Sequence, residues 1–504
     1  MWAAGRAWAL SSLLFTAIFV ADFCLNLIGI GFPITWHPDE LGKAIQIQSW
    51  SFNFYHPQLL LRLTDVARFF YQPDDTSRTL VLTGRLVSAA ATAAAVSVFG
   101  IIVARRFGIL PGLAAAVLVG ITPTVFVNAH FFKEDSTLLF GCALVLLALQ
   151  SVELNPSNRN TIMLGIAVGV ACSAKYMGAL LLIPSLLVIG KEQRFVVCAG
   201  AAITFAIINV AGFFGPIAFV KGVVFEINHV TSSHGGVQFG PSSYATGRFL
   251  LSSTALIFVL VWLSGLVWVS WNAFSTWSGS NGNQVPRYEV AIYLTPLLFM
   301  GAIQLSRAVL PRYLVSVSAM VTLAALWTLA RFVADGKVKI ARPAAALLLC
   351  IGAGITINSF TASASIFLDP PRLKLAKWIS DNLPPSAKIA ADFYSGIPNA
   401  NRAKLDPTLL RLPQTVEIIF PVPVDDGLSI EGLRLAGFTH IVTSGGNYDR
   451  LFDPAGKIVW PVAEKRKRYY EEVFQTLRLL HEEPAGTDLD DLFASRMAIY
   501  DIQK

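Results

Sequence analysis

The sequence predicts an all-α polytopic membrane domain of about eleven transmembrane helices followed by a small extracytoplasmic α/β domain, and three observations lead there. The chain is 54% hydrophobic and 14% charged, with a mean hydropathy of +0.58, too apolar for a soluble protein of 504 residues. Apolar runs of roughly the length that crosses a bilayer recur from residue 7 to residue 362. Acid is unevenly spread: 13 of the 32 Asp and Glu fall in residues 1–363 and 19 in the last 141. The boundary is therefore set at 363/364, with 1–363 in the membrane and 364–504 in water.

The first run, 7–31, follows Arg6, is longer than a signal-peptide core and shows no clear small-residue cleavage site before Phe32, so it is read as a retained span. Ten more are expected at 80–103, 109–128, 136–152, 161–174, 177–190, 195–215, 249–271, 289–306, 313–333 and 343–362. Lys175 and Tyr176 interrupt a run of about 30 residues. As one helix that run would be ~45 Å long, so two short crossings are favoured, with Arg159, Lys191 and Arg194 on the same side. Eleven crossings put Arg6, Arg105, Arg106, Arg159, Lys191, Arg194, Arg287, Arg331, Lys337, Lys339 and Arg342 together, on the side that the positive-inside rule makes cytoplasmic. The 32–79 loop, the FFKED turn, Lys175, the 216–248 loop, the turn from Arg307 to Arg312 and the tail fall outside, as expected in a multi-pass plasma (inner) membrane protein. The net charge of +7 is explained by the cytoplasmic cations and calls for no nucleic-acid partner. Cys24, Cys142, Cys172, Cys198 and Cys350 lie in apolar segments without a CxxC pair and are read as buried thiols, not a disulfide or zinc framework. No internal repeat is visible.

Charge is scarce before residue 364, so its clusters carry information. The stretch ITWHPDELGKAIQI sets His37, Asp39, Glu40 and a lysine just beyond the first span, and HFFKED sets Glu134 and Asp135 at the same expected face. Carboxylates near a membrane are costly unless solvated or paired, so this placement favours a water-accessible outer cavity. FNFYHPQLLL adds His56 ahead of an amphipathic segment suited to the interface. Lys175, Arg307 and Arg312 come at outer span ends, where cations commonly hold phosphate. Carboxylates beside a cationic cradle suit group transfer from a phosphorylated lipid: one takes the acceptor hydroxyl's proton while the cations stabilise the departing phosphate.

Plainer readings stand beside these. Asp39 and Glu40 suit the first turn of an interfacial helix opened by Pro38. Lys175 suits a snorkelling side chain, and Arg307 and Arg312 suit head-group anchors. No metal is assigned, although His37, Asp39, Glu40 and His56 would suit a divalent cation if the fold converged them. His229 and His234 are read as acceptor-loop residues. The rival class is a polytopic transporter or lipid-linked-sugar flippase, which would normally show internal repeats and ionisable groups at the midplane.

In chain order, Asp39–Glu40, His56–Pro57, GRLVS (Gly84 to Ser88), Glu134–Asp135, AKYMG (Ala174 to Gly178) and LPRYLV (Leu310 to Val315) resemble the GT-C glycosyltransferases. Within them the chain is most similar to the protein O-mannosyltransferase and lipid A aminoarabinose transferase group. KLAKWISDNLPPSAKIAADF followed by FTHIVTS likewise resembles the extracytoplasmic domain of many bacterial members. The resemblance implies inverting transfer of a hexosyl or pentosyl group from a polyprenyl-phosphate-sugar donor to a lipid, glycan or protein acceptor. It puts the base at Asp39 with Glu40 as neighbour and substitute, lets Asp135 orient the acceptor or a positively charged group, and turns Lys175 and Arg312 to the donor phosphate. Arg307, His56, His37 and Glu134 complete the substrate-binding candidates. The family's HPP is here His56, Pro57, Gln58, and the loop NHVTSSHGGVQFGPSSYATGRF matches no subgroup, so the acceptor stays open.

In the tail, KIAADF, THIVTS and RMAIYDI read as strands, LAKWISDNL and AEKRKRYYEEVFQTLRLL as helices, and PVPVDDG as a loop. With no Cys, no GxGxxG and no nucleophile elbow, the tail is expected to cover the outer cavity or hold an acceptor.

Overall fold

The computed structural model describes residues 2–71, 76–233, 235–239, 243–277, 285–307, 310–335, 341–419, 422–427, 429–486 and 495–503. Helix α1 (Trp2–Asn26) leads into two amphipathic helices, α2 (Pro38–Ser49) and α3 (Leu59–Tyr71). Then come α4 (Ser77–Phe107), α5 (Ile109–Gly120), α6 (Pro123–Ala129), α7 (Glu134–Leu154) and α8 (Asn158–Ala174). A 3₁₀ turn, Tyr176–Leu181, opens α9 (Leu182–Val188), followed by α10 (Arg194–Ile208), α11 (Ala211–Phe214) and α12 (Pro216–Ser232). The bundle is completed by α13 (Ser243–Ser253), α14 (Leu256–Trp277), α15 (Arg287–Gln304), α16 (Val315–Asp335) and α17 (Ala341–Leu368).

Every expected span contains helix, but the count differs. Among the described residues five helices are long and apolar enough to cross a membrane, or six if α5 and α6, bent by 65° to one another, form one broken span. Pro123 explains that break, because it has no N–H for the helical ladder and crowds the preceding turn. The 249–271 run is divided between α13 and α14, and α10, at 15 residues, is only ~22 Å long. Lys175 does interrupt its run: it is extended (φ −152°, ψ 143°) between α8 and the 3₁₀ turn.

Two charged regions lie at opposite ends of the bundle. From Arg85 to Arg105 on α4 is ~30 Å of helix, close to the hydrocarbon thickness. At the far end Glu289, fully buried, pairs with Arg331 and lies 3.7 Å from Arg106, while Glu153 accepts the Arg287 and Tyr288 amides at 2.8 and 2.7 Å. Several cations expected to share one side thus gather there; Lys337 and Lys339 lie outside the described residues. Of the five unbridged cysteines only Cys142 is buried, Cys172 is partly so, and Cys24, Cys198 and Cys350 lie on the bundle's outer surface, where the apolar helices face outward.

Beyond α17, α18 (Pro371–Asn382), α19 (Ala400–Leu405), α20 (Ile430–Leu435), α21 (Gly445–Phe452) and α22 (Pro461–Thr476) surround a five-stranded sheet. A short strand β1 (Val237–Phe239) pairs antiparallel with β5 (Gly456–Ile458), tying the loop after α12 to the tail. The sheet runs β3 (Thr415–Ile419), β2 (Lys388–Asp392), β4 (His440–Ser444), β7 (Met497–Asp501), β6 (Arg478–Glu483). β3, β2 and β4 are parallel, and β7 is antiparallel to both neighbours. The three expected strands are β2, β4 and β7. The second expected helix stops at Thr476; Leu477 caps it and Arg478, Leu479 and Leu480 instead enter β6, where a strand beside β7 keeps its backbone groups paired.

Candidate active site

Local sequence fixes the first wall of the site. Pro38 opens α2 and places Asp39 and Glu40 in its first turn, where the helix dipole favours carboxylates. His37 caps this end: its Nδ1 accepts the Asp39 N–H at 3.3 Å. Burial, with Lys133 nearby, holds the imidazole pKa well below its usual value, which keeps that nitrogen an acceptor.

Successive helical residues point ~100° apart, and the two acids part accordingly. Glu40 turns inward and is fully buried. Arg85 donates to it through Nε at 2.9 Å and Nη2 at 2.6 Å, and the Phe132 N–H donates at 2.9 Å. The guanidinium also donates to the Ile30 carbonyl at 3.0 Å and lies 3.5 Å from the Phe32 ring centroid. Gly84 is needed beside it, since a Cβ there would fall 2.3 Å from the Phe132 ring. Asp39 turns the other way, its side chain 48% exposed and paired with the Lys133 ammonium. Asp39, Gly42, Lys43 and Gln46 recur at the spacing of one helix face, and all four line a cavity of about 400 Å³.

Lys133, Glu134 and Asp135, at the turn from α6 into α7, form the second wall. Lys43 Nζ lies 3.0 Å from Glu134 Oε1 and donates to the Phe132 carbonyl at 2.9 Å. Lys175 Nζ meets Asp135 Oδ1 at 2.7 Å. The third wall is the 53–57 loop against α12, made close by Gly222: a Cβ there would come within 2.3 Å of the Asn53 carbonyl oxygen. In that loop Phe54 holds a left-handed φ of 55°, its carbonyl accepting from the Tyr176 hydroxyl at 2.9 Å. His56 sits between Glu134 at 4.0 Å and Glu226 at 3.8 Å, and the Tyr55 ring stacks on Phe225 with centroids 4.0 Å apart. Arg312 and Tyr313, from the 3₁₀ turn Pro311–Leu314, close the fourth side.

The electrostatics favour an ionised Asp39. Its exposed half faces the cavity and not bulk water, so desolvation works against its charge, but Lys133 foremost, with Arg312 and Lys43, more than offsets this and holds the carboxyl well below the usual range. Burial lowers Lys133 to about 8, Asp39 partly opposing. Burial likewise takes His56 to about 4, so its imidazole is neutral at pH 7, and raises Glu226.

The structure therefore brings Asp39, Glu134, Asp135, Lys175, His56 and Arg312 to one cavity. It separates Glu40, held by Arg85, and His37, used as a cap. Arg307 also lies apart: its amide donates to the Val230 carbonyl at 2.8 Å and its guanidinium to Gln238 at 3.4 Å. The candidate divalent-cation set His37, Asp39, Glu40 and His56 is not gathered, and among the described residues no group of three or more His, Cys, Asp or Glu could hold a metal. His229 lines the cavity; His234 lies outside the described residues. Three charged residues of the lining, Lys43, Lys133 and Glu226, had no role from sequence. Lys43 follows Asp39 by four, a same-face spacing, and Glu226 is the sole acid between Glu192 and Glu289, so both carried a signal.

Residues 80–214 match the family model of dolichyl-phosphate-mannose-protein mannosyltransferases. No curated protein gives a match. Among solved structures, ArnT from Cupriavidus metallidurans bound to undecaprenyl phosphate is 15% identical, with a TM-score of 0.50 over 97% of this chain and 98% of that one. The archaeal oligosaccharyltransferase AglB from Archaeoglobus fulgidus, in complex with an inhibitory peptide and a dolichol-phosphate, is 11% identical, with a TM-score of 0.48 over 85% of this chain and 69% of that one. The S. cerevisiae protein O-mannosyltransferase complex bound to the sugar donor is 18% identical, with a TM-score of 0.33 over 47% and 36%. The chain has the GT-C membrane fold and resembles the protein O-mannosyltransferase and ArnT group.

Proposed function

We propose that this protein is an inverting membrane glycosyltransferase that moves a sugar from a polyprenyl-phosphate-linked donor to a hydroxyl of a lipid, glycan or protein acceptor. Residues 1–363 form the membrane domain and 364–504 an extracytoplasmic domain, with the cavity on that same outer face. The observation that carries the reading is the half-exposed Asp39 carboxylate, kept ionised in a cavity that also holds Lys133, Lys175 and Arg312. The acceptor oxygen attacks the anomeric carbon, the bond from that carbon to the phosphate oxygen breaks, and Asp39 takes the hydroxyl proton. The departing lipid phosphate gains negative charge, which Lys175 and Arg312 meet. Sharing a fold with a protein that binds undecaprenyl phosphate supports a polyprenyl phosphate as the leaving group.

Binding of radiolabelled polyprenyl phosphate to the purified protein tests this assignment. Charge-assisted hydrogen bonds contribute about 1.5–3 kcal/mol, so Arg312→Ala and Lys175→Ala are each expected to weaken binding by roughly 10- to 100-fold. Arg312→Lys should restore little if the contact is bidentate. Wild-type affinity in both Ala variants would leave these cations without a phosphate role.

A further inference from the structure

Within the segment that delivers Asp39, Ile34 and Trp36 are held by residues more than 300 positions away. The Ile34 N–H donates to Asp406 Oδ2 at 2.9 Å, and the Trp36 indole N–H donates to the Gly396 carbonyl at 3.2 Å. Arg372 donates to the Trp36 carbonyl at 3.2 Å and to the Tyr394 carbonyl at 2.8 Å, with its guanidinium 5.5 Å from the Trp36 ring centroid. Asp406 is fixed in turn by the Thr408 amide and hydroxyl, at 3.1 and 2.6 Å, and lies 3.5 Å from Arg78 on α4. Ile34, Trp36, Arg372 and Asp406 are all buried, and none lines the cavity. Gly396 adopts φ +66°, and a Cβ there would fall 2.7 Å from Arg372 Cδ, so the contact leaves no room for a side chain. His37 follows Trp36 directly and caps α2 at the Asp39 amide. A continuous line of contacts thus runs from the tail through residues 34–37 to the first turn of α2.

We propose that the C-terminal unit sets the position of Asp39, with Arg372, Gly396 and Asp406 as positioning residues that clamp residues 34–37. The inference rests on the reading of Asp39 as the base, and it gives the tail a part in catalysis that a cover over the cavity would not need. None of these residues touches substrate. They act through the backbone of the segment and through His37.

The test uses the full-length protein in detergent, with Arg372→Ala, Asp406→Ala and Asp406→Asn, and reads amide hydrogen exchange beside transfer kinetics. Losing a clamp should speed exchange of the amides of residues 34–37, 39 and 40 by about tenfold or more while α7 exchanges as in the wild type. Misplacing a catalytic group by about 1 Å can cost ~100-fold, so kcat should fall roughly 10- to 100-fold with the donor KM within about twofold. Asp406→Asn keeps one acceptor oxygen, enough for the Ile34 amide but not for the Thr408 amide and hydroxyl as well, and should fall between wild type and Asp406→Ala in both exchange at residues 34–37 and kcat, a graded rescue that general destabilisation would not show. Unchanged exchange at these amides, or Asp406→Asn as damaging as Asp406→Ala, would overturn the clamp. If Arg372→Ala does not fold, the two Asp406 variants decide. Faster exchange in a protein whose wild type transfers no sugar would sustain the clamp and remove the glycosyltransferase reading.

Discussion

Asp39→Asn is expected to lower glycosyl transfer by roughly 10²- to 10⁴-fold, the usual contribution of a positioned general base, while polyprenyl phosphate still binds. The amide keeps the shape and the cap contact of the backbone and loses the proton acceptor. A carboxylate held so far below its ordinary pKa is a weak base, so it takes the proton when bond formation has already made the attacking oxygen acidic. The same pairing gives the pH profile its shape. On the acid side transfer should persist below the ordinary carboxylate range, because Asp39 stays ionised there. On the alkaline side it should decline as Lys133 loses its proton through about 8, because the cavity then loses one of the positive charges that receive the departing phosphate and the ion pair that holds the Asp39 carboxylate in place. A transfer assay across pH, run beside a donor-binding assay on the same preparation, reads both; near-normal transfer by Asp39→Asn would take the first loop out of the chemistry.

Arg85→Ala should instead act on stability. Its guanidinium and the Glu40 carboxylate are both fully buried, and removing one partner leaves an uncompensated charge, at a cost of about 3–5 kcal/mol. The expected result is a large loss of folded protein or of thermal stability in detergent. The double variant Arg85→Met with Glu40→Leu should recover part of it, because an apolar pair of similar volume carries no desolvation cost. Unaltered thermal stability of Arg85→Ala, with transfer abolished, would return Glu40 to the chemistry.

The contrast between these two neighbours shows how far the sequence was legible. The motif order DE, HP, GRLVS, ED, AKYMG and LPRYLV pointed to the fold and to one cavity, and Asp39, His56, Glu134, Asp135, Lys175 and Arg312 do meet there. Which carboxylate of the DE pair faces the cavity depended on the rotation of α2. Arg85, 45 positions away, pairs with Glu40 on the buried side, and no local pattern carries that pairing. GRLVS is explained by packing: Gly84 makes room for Phe132 and Arg85 neutralises Glu40. Lys133 was visible only as a charge in a turn, and its pairing with Asp39 needed the turn after α6 laid against α2. The span count was less legible, because apolar runs report hydrophobicity and not where a proline bends a helix, as Pro123 does. In the tail, the strands with continuous apolar runs were readable. β3, TVEII, and β6, RLLHEE, mix charges into strands that one neighbour holds in the sheet.

A glycosyltransferase at this cavity must break the bond between sugar and lipid phosphate there, whereas a flippase would leave it intact. The most direct test is to reconstitute the purified protein in liposomes carrying polyprenyl-phosphate sugars labelled separately in sugar and lipid, with membrane-extracted acceptor supplied. Sugar label should leave the lipid and appear in acceptor together with free polyprenyl phosphate, and Asp39→Asn should stop both. Movement of the intact, doubly labelled donor across the bilayer, with no polyprenyl phosphate released, would contradict the glycosyltransferase reading and make the protein a flippase.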